Sequence, residues 1–123
     1  MENEMGKVLI VDDSPAELAN LRTILNDAGW HSVTASGGAD AVAKALSEKP
    51  SMILMDIIMP DMDGYEACRT LQANPETKNI PVVFVSSKNQ KADHMWAKMQ
   101  GAKGLIGKPY QASEILDTLK AYG

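Results

Sequence analysis

The sequence places three carboxylates, a hydroxyl and an ammonium at the ends of four short apolar segments. Asp12 and Asp13 close the first segment, and Asp56 closes the third. Ser86 ends the fourth segment, and Lys108, which precedes a proline, ends the fifth. An aspartate can act as a nucleophile toward phosphorus, and crowded carboxylates repel one another unless a cation neutralises them. These residue types predict phosphoryl transfer to an aspartate beside a metal ion.

The expected metal is Mg²⁺, because this ion prefers oxygen ligands and binds through one or two carboxylates, several waters and often a phosphate oxygen. The ion would neutralise charge on an incoming phosphoryl group. Lys108 would neutralise more of that charge, as a point charge on a flexible stem. The Ser86 hydroxyl could donate a hydrogen bond to a phosphoryl oxygen. Phosphoryl transfer depends mainly on positioning and charge stabilisation, which these groups together supply.

The elements that must position these residues alternate between strand-like and helix-like segments, five of each. The strand-like segments are residues 7–12, 32–35, 52–56, 81–86 and 104–108, and the helix-like segments are residues 15–28, 39–47, 64–73, 90–100 and 112–122. Unbroken apolar strands are typical of a parallel sheet buried on both faces, so the alternation predicts a doubly wound α/β fold. Ligands of such sheets bind beyond the carboxyl ends of the strands, and the length of 123 residues fits one domain.

Composition and charge exclude several classes of protein. The net charge of −4 and the pI near 5.1 argue against binding nucleic acid or an anionic membrane through overall charge. The single cysteine, Cys68, cannot form an internal disulfide and favours a reducing compartment. The start of the chain has no signal-peptide pattern, and no apolar run approaches the roughly 20 residues that span a bilayer. We therefore expect a cytoplasmic protein with no nucleic-acid or membrane partner.

The sequence resembles the receiver domains of two-component response regulators, in particular the stand-alone CheY-like type. The resemblance rests on Asp12-Asp13, Asp56, Ser86 and Lys108-Pro109 together. The stretch MDIIMPDMDGYE at residues 55–66 is similar to the receiver phosphorylation loop. The resemblance covers residues 7 to about 121 and implies a flavodoxin-like sheet of strand order 2-1-3-4-5 with five helices. Residues 86–109 are further similar to the twitching-motility regulators of type IV pilus chemosensory systems.

The resemblance implies a role for each matched residue. Asp56 would accept a phosphoryl group from a CheA-like sensor histidine kinase, and Ser86 and Lys108 would contact that group. Four residues would hold the Mg²⁺: Asp13, Asp56 and the backbone carbonyl of Ile58 directly, and Asp12 through a water on the ion. The Lys108–Pro109 peptide bond would be cis. The protein would be a phosphoacceptor and not an enzyme, apart from its own phosphorylation and dephosphorylation.

Output would occur by protein–protein contact, after phosphorylation shifts the population of two conformations. In the family the fourth helix, fifth strand and fifth helix often carry this contact, and the candidates here are Lys91, His94, Lys98 and Leu105. Leu105 departs from the aromatic residue usual at its position, so the inward swing of a ring cannot occur there in the same way. Four apolar residues share one side of the predicted fourth helix and are expected to pack in the core: Ala92, Met95, Trp96 and Met99.

Rival classes make different demands on the sequence. A phosphatase of the haloacid dehalogenase type needs a second acid two residues after its nucleophile, where Ile58 stands. A nucleotide- or flavin-binding protein needs a glycine- or hydroxyl-rich loop after the first strand, where residues 12–15 read DDSP. The intact acidic set argues against a non-catalytic interaction module. A phosphate sink needs the same chemistry as a signalling receiver and remains open.

Overall fold

The structure is a computed structural model that describes residues 6–123. The frayed start expected for residues 1–6 lies almost wholly outside the described residues. The strands are β1 (Lys7–Val11), β2 (His31–Ala35), β3 (Met52–Met55), β4 (Val82–Ser86) and β5 (Gly104–Gly107). The helices are α1 (Pro15–Asp27), α2 (Gly38–Glu48), α3 (Gly64–Ala73), α4 (Lys91–Met99) and α5 (Ala112–Tyr122). No helix within the described range is long and apolar enough to cross a membrane.

The five strands form one parallel sheet in the order β2-β1-β3-β4-β5, which confirms the predicted fold class and strand order. At the last position of β1, Val11 pairs with Ala35 of β2 on one side and with Met55 of β3 on the other. The strand order therefore reverses between β1 and β3, and a crevice opens at such a switch point. Asp12 and Asp56, which directly follow these two strands, lie at that crevice.

Helices cover both faces of the sheet, and alternate residues of each strand point to opposite faces. On one face α2, α3 and α4 bury mostly small and medium side chains against the sheet: Ala41, Ala45, Ala67, Cys68, Leu71 and Ala97. On the other face α1 and α5 bury larger aliphatic side chains: Leu21, Leu25, Ile115 and Leu119. Because both faces are buried, the inner strands β1, β3 and β4 are almost continuous apolar runs, whereas the edge strand β2 reads HSVTA and is only partly buried.

Local sequence signals set the helix ends that border the crevice. The Ser14 hydroxyl accepts a hydrogen bond from the Glu17 N–H at 3.4 Å and so caps the start of α1. Asp63 caps α3 in the same way. Gly64 begins α3 against the loop of Asp56, because a Cβ there would lie 2.3 Å from the Asp56 carbonyl oxygen. Only glycine fits at this position, so the loop after β3 can close directly onto α3.

The orientation of α4 corrects one expectation. Met95, Trp96 and Met99 are 61%, 51% and 70% exposed and do not pack in the core. Asp93 and Ala97 are the residues of α4 that are buried. Helical periodicity is compatible with either of two buried stripes on α4. Because α4 packs close to the sheet, the buried stripe is the one with the small side chain of Ala97 and with Asp93, which caps the helix N-terminus. The large apolar stripe is left facing solvent.

Candidate functional site

Three carboxylates meet at the carboxyl edge of the sheet. Asp12, Asp13 and Asp56 each offer one oxygen, and these oxygens all lie within 4.8 Å of one another. Asp12 and Asp56 are buried because they directly follow the paired strands β1 and β3, whereas Asp13 lies one residue further along and is exposed. The parallel register thus brings together acids that are 44 residues apart in the chain.

The ammonium of Lys108 bridges the two buried acids. It lies 2.8 Å from an oxygen of Asp12 and 3.2 Å from an oxygen of Asp56. Lys108 follows β5, its N–H donates to the Ser86 carbonyl at 3.0 Å, and its bond to Pro109 is cis, as the resemblance implied. From the end of β5, the lysine side chain therefore extends over the ends of β4 and β3 to the two acids at the switch point.

Backbone N–H groups hold the remaining oxygens of the buried acids. One oxygen of Asp56 accepts from the N–H of Ile57 at 2.7 Å and from the N–H of Ile58 at 3.3 Å. One oxygen of Asp12 accepts from the Ser14 N–H at 2.9 Å. Each buried acid thus has one oxygen on the backbone and the other on Lys108, which fixes the direction in which Asp56 faces the crevice.

The site carries more negative than positive charge, because three carboxylates surround one ammonium. Burial raises the pKa of Asp12, and the charge of Asp56 raises it further, although hydrogen bonds from Lys108 and Ser14 oppose the rise. Burial alone would lower the pKa of Lys108, but the hydrogen bond to Asp12 and the negative charges of both acids raise it overall. The ammonium therefore stays charged at neutral pH, and the acids still favour an additional cation.

The donor set fits Mg²⁺. All three acids supply hard oxygen ligands, which suit Mg²⁺, and their oxygens are close enough to share one ion. The exposed Asp13 makes no side-chain hydrogen bond to residues 6–123, so its carboxylate is free to act as a ligand. The direct ligands assigned by resemblance, including the carbonyl of Ile58, remain a prediction. The Ile58 side chain lies 56% exposed beside Asp56.

Ser86 reaches the same edge but faces elsewhere. It ends β4, is fully buried, and its hydroxyl oxygen accepts a hydrogen bond from the N–H of Lys88 at 3.2 Å. The hydroxyl makes no hydrogen bond to Asp56. The Ser86 hydroxyl, predicted to contact the phosphoryl group, is therefore directed into the loop between β4 and α4. It would have to rotate in order to reach a phosphoryl group on Asp56.

The sequence reading missed two polar arrangements around the site. Asp93 pairs with the Lys88 ammonium at 2.8 Å and forms a reciprocal cap with Gln90. The spacing from Gln90 to Asp93 is that of a capping box and could have identified it. The Tyr110 hydroxyl donates to Glu17 at 3.1 Å and ties the loop after Lys108 to α1. No local pattern indicates this second contact, because its partners are 93 residues apart.

A parallel sheet with an acidic cluster and a bridging lysine at its carboxyl edge has the arrangement of a phosphoacceptor domain. The response regulator receiver domain model matches residues 8–120, and the chain belongs to this family.

Among its relatives, Protein PilH of Pseudomonas aeruginosa is 43% identical over 117 residues, covering 95% of this chain and 97% of that protein. Protein PilG of the same organism is 34% identical over 116 residues, covering 94% of this chain and 86% of that protein. The chemotaxis protein CheY4 of Vibrio cholerae superposes with a TM-score of 0.90 at 31% identity, covering 97% of this chain and 99% of that one. The chain is accordingly a CheY-like phosphoacceptor response regulator in chemotaxis-like signalling.

Proposed function

We propose that Asp56 is the phosphoacceptor and that residues 1–123 act as one receiver domain. The observation that carries this assignment is the Lys108 ammonium held between Asp12 and Asp56, with the free carboxylate of Asp13 beside them. The phosphoryl donor is a phosphohistidine on a CheA-like sensor kinase. Because such a kinase uses ATP, the expected compartment is the cytoplasm. Apart from its own phosphorylation and dephosphorylation the protein turns over no substrate.

The chain's own residues account for the transfer. An oxygen of Asp56 attacks the phosphorus, a phosphorus–oxygen bond forms, and the phosphorus–nitrogen bond breaks with its electron pair leaving on the imidazole. Backbone N–H groups of Ile57 and Ile58 hold the other oxygen, so the nucleophile is oriented before the donor arrives. Lys108 is already in place to neutralise the phosphoryl charge, and Ser86 donates to a phosphoryl oxygen after rotation.

The metal assigned to this site is Mg²⁺, which Asp13, Asp56 and the carbonyl of Ile58 would hold directly and Asp12 through a water on the ion. When bound, it supplies positive charge that offsets the repulsion between the carboxylates and the phosphoryl group. Burial raises the pKa of Asp12, the negative charge of Asp56 adds to the rise, and Lys108 offsets only part of it, which supports a further cation at this cluster.

The output surface in this proposal is centred on α4. The apolar stripe of Met95, Trp96 and Met99 is exposed, and an exposed apolar patch rimmed by polar residues is typical of an interaction site. Its rim is basic: Lys91, His94 and Lys98 are all exposed. Leu105 lies half-buried on the neighbouring strand. This surface fits a partner segment that carries apolar side chains flanked by acids.

Charge complementarity at this surface can be tested with designed peptides. An amphipathic peptide with a leucine face flanked by glutamates should change the fluorescence of Trp96, measured in a Trp30→Phe background. Its twin with lysines in place of the glutamates should bind more weakly. The double variant Lys91→Glu, Lys98→Glu should reverse this preference, and an unchanged preference would contradict the assigned surface chemistry.

Similarity to PilH and PilG, together with residues 86–109, supports a place in the chemosensory control of type IV pilus motility. The receiver would act there either by binding an output protein or by draining phosphate from the kinase. Transfer experiments with the kinase and a second receiver distinguish these roles, because a sink lowers phosphate on the other receiver without itself binding a target.

The chemistry is tested first with a small-molecule phosphodonor, with and without Mg²⁺, read by intact-protein mass. We expect the wild type to gain one phosphoryl group in the presence of Mg²⁺ and Asp56→Asn to gain none. Asp61→Asn is the matched control, because Asp61 is an exposed acid of the same loop whose positive φ of 69° an asparagine tolerates. Absence of a gain in the wild type would favour a receiver-like interaction module.

A further inference from the structure

The loop between β4 and α4 couples Ser86 to α4 through one residue, Lys88. The Lys88 N–H donates to the Ser86 hydroxyl at 3.2 Å, and the Lys88 ammonium pairs with Asp93 at 2.8 Å. Asn89 adds a contact from its side-chain amide to the Ser86 carbonyl at 3.4 Å. A rotation of the Ser86 hydroxyl therefore removes the hydrogen bond that holds Lys88 in place.

Asp93 holds the first turn of α4. It is 6% exposed, and one of its oxygens accepts the Gln90 N–H at 2.9 Å while the other pairs with Lys88. The Gln90 side chain accepts the Asp93 N–H in return. Since Ala97 is the other buried residue of this helix, few apolar contacts fix its position. The donor that Asp93 uses consequently has a large influence on where α4 sits.

A second donor lies nearby without a partner. The hydroxyl of Tyr65 on α3 is buried and makes no hydrogen bond to any residue between 6 and 123. Its ring packs edge-on against Phe84 of β4, with centroids 5.4 Å apart. Phe84 and Ser86 are two residues apart on the strand and share one face of the sheet. The phenol therefore belongs to the layer into which the Ser86 side chain points.

The charges of the same ion pair act on the Tyr65 hydroxyl. Burial raises the pKa of Tyr65, and the negative charge of Asp93 raises it further, whereas the Lys88 ammonium lowers it. Tyr65 thus keeps its proton and can act as a hydrogen-bond donor. A buried hydroxyl without an acceptor is unfavourable, and Asp93, the acid whose charge acts most on this hydroxyl, already has a partner in Lys88.

We propose that Asp93 exchanges its donor from the Lys88 ammonium to the Tyr65 hydroxyl when Asp56 is phosphorylated, and that this exchange repositions α4. The inference rests on the proposed phosphorylation. Ser86 turns to the phosphoryl group, Lys88 loses its backbone hydrogen bond and leaves Asp93, and the buried carboxylate then accepts from Tyr65. No proton is transferred. In this way Tyr65 on α3 couples the site to α4. Leu105, at the position where the family usually has an aromatic residue, has no hydroxyl and cannot serve as this donor.

The experiment uses Tyr65→Phe, which keeps the ring and its contact with Phe84 but removes the hydroxyl. Tyr122→Phe is the matched control, because Tyr122 is exposed at the end of α5. Amide NMR shifts of α4 are recorded before and after phosphorylation, and the phosphoryl content of each sample is measured by intact mass. We expect equal phosphorylation of all three proteins, a full shift in Tyr122→Phe, and loss of more than half of the shift in Tyr65→Phe.

A second variant tests the other half of the exchange. Lys88→Met removes the present donor, so its α4 amides should move toward the phosphorylated positions without any phosphodonor. A full α4 shift in phosphorylated Tyr65→Phe, or unmoved α4 amides in Lys88→Met, would overturn the exchange while leaving the phosphoacceptor assignment intact. If the wild type itself gains no phosphoryl group, both proposals fail, and the mass measurement identifies that case.

Discussion

The ammonium of Lys108 lies 2.8 Å from the carboxylate of Asp12, although the two residues are 96 positions apart in the chain. Each stands directly beyond its strand, and two further strands lie between β1 and β5 in the sheet. The lysine side chain crosses this distance at the mouth of the crevice and reaches Asp56 as well. The contact places a positive charge against both buried carboxylates.

Lys108→Met should destabilise the metal-free protein by about 3 kcal/mol, because removing one partner of a buried ion pair leaves charge uncompensated. Added Mg²⁺ should restore much of this loss, since the cation replaces the missing positive charge. Unfolding by urea with and without Mg²⁺ measures both effects. Lys103→Met, at an exposed lysine before β5, serves as the control. A loss that Mg²⁺ leaves unchanged would argue against a shared charge site.

If the variant is still phosphorylated, we expect its conformational switch to be uncoupled.

Asp13→Asn should weaken Mg²⁺ binding by at least about tenfold, because it removes a charged oxygen ligand that makes no hydrogen bond within the described residues. Isothermal titration calorimetry measures the affinity. Asp27→Asn, at the exposed end of α1, changes the net charge equally and should leave the affinity unchanged. Equal affinities of Asp13→Asn and wild type would refute the ligand assignment.

Trp96→Ala should change the free energy of unfolding by less than about 0.5 kcal/mol, as is usual for surface substitutions. A tryptophan in the core would cost about 3–5 kcal/mol on the same change. Leu71→Ala provides the comparison, because Leu71 is 1% exposed on the neighbouring α3. A large destabilisation by Trp96→Ala would mean that α4 packs its apolar stripe against the domain in solution.

Cys68 should react slowly with iodoacetamide in the native protein. Burial raises the pKa of its thiol from 9.0 to about 11, which lowers the reactive thiolate fraction about a hundredfold at pH 8. Because the thiolate forms as pH rises, the native rate should increase about tenfold for each pH unit below 11, while the urea-unfolded protein levels off near pH 9. Comparable native and unfolded rates at pH 8 would contradict the burial of this residue.

Much of the fold follows from the sequence alone, for physical reasons that particular segments illustrate. The runs VLIV of β1 and MILM of β3 are apolar without interruption, as is typical of strands buried on both faces. The Ser14-Pro15 pair starts a helix by local hydrogen bonding. These signals depend on neighbours a few residues away, so the alternation of strands and helices could be inferred from them, and with it the meeting of Asp12, Asp13 and Asp56 at one edge of the sheet. The strand order followed from the resemblance to receiver domains.

Which side of a helix faces the core was decided by tertiary structure. In α4 the stripe of Met95, Trp96 and Met99 has the periodicity of a buried face, yet the sheet and α3 leave room only for Ala97 and Asp93. Periodicity gives the spacing of side chains but not the distance at which the helix packs. Likewise the inward turn of Ser86, and the placing of Tyr65 near Asp93, depend on three elements meeting in space. No segment of the sequence contains that information by itself.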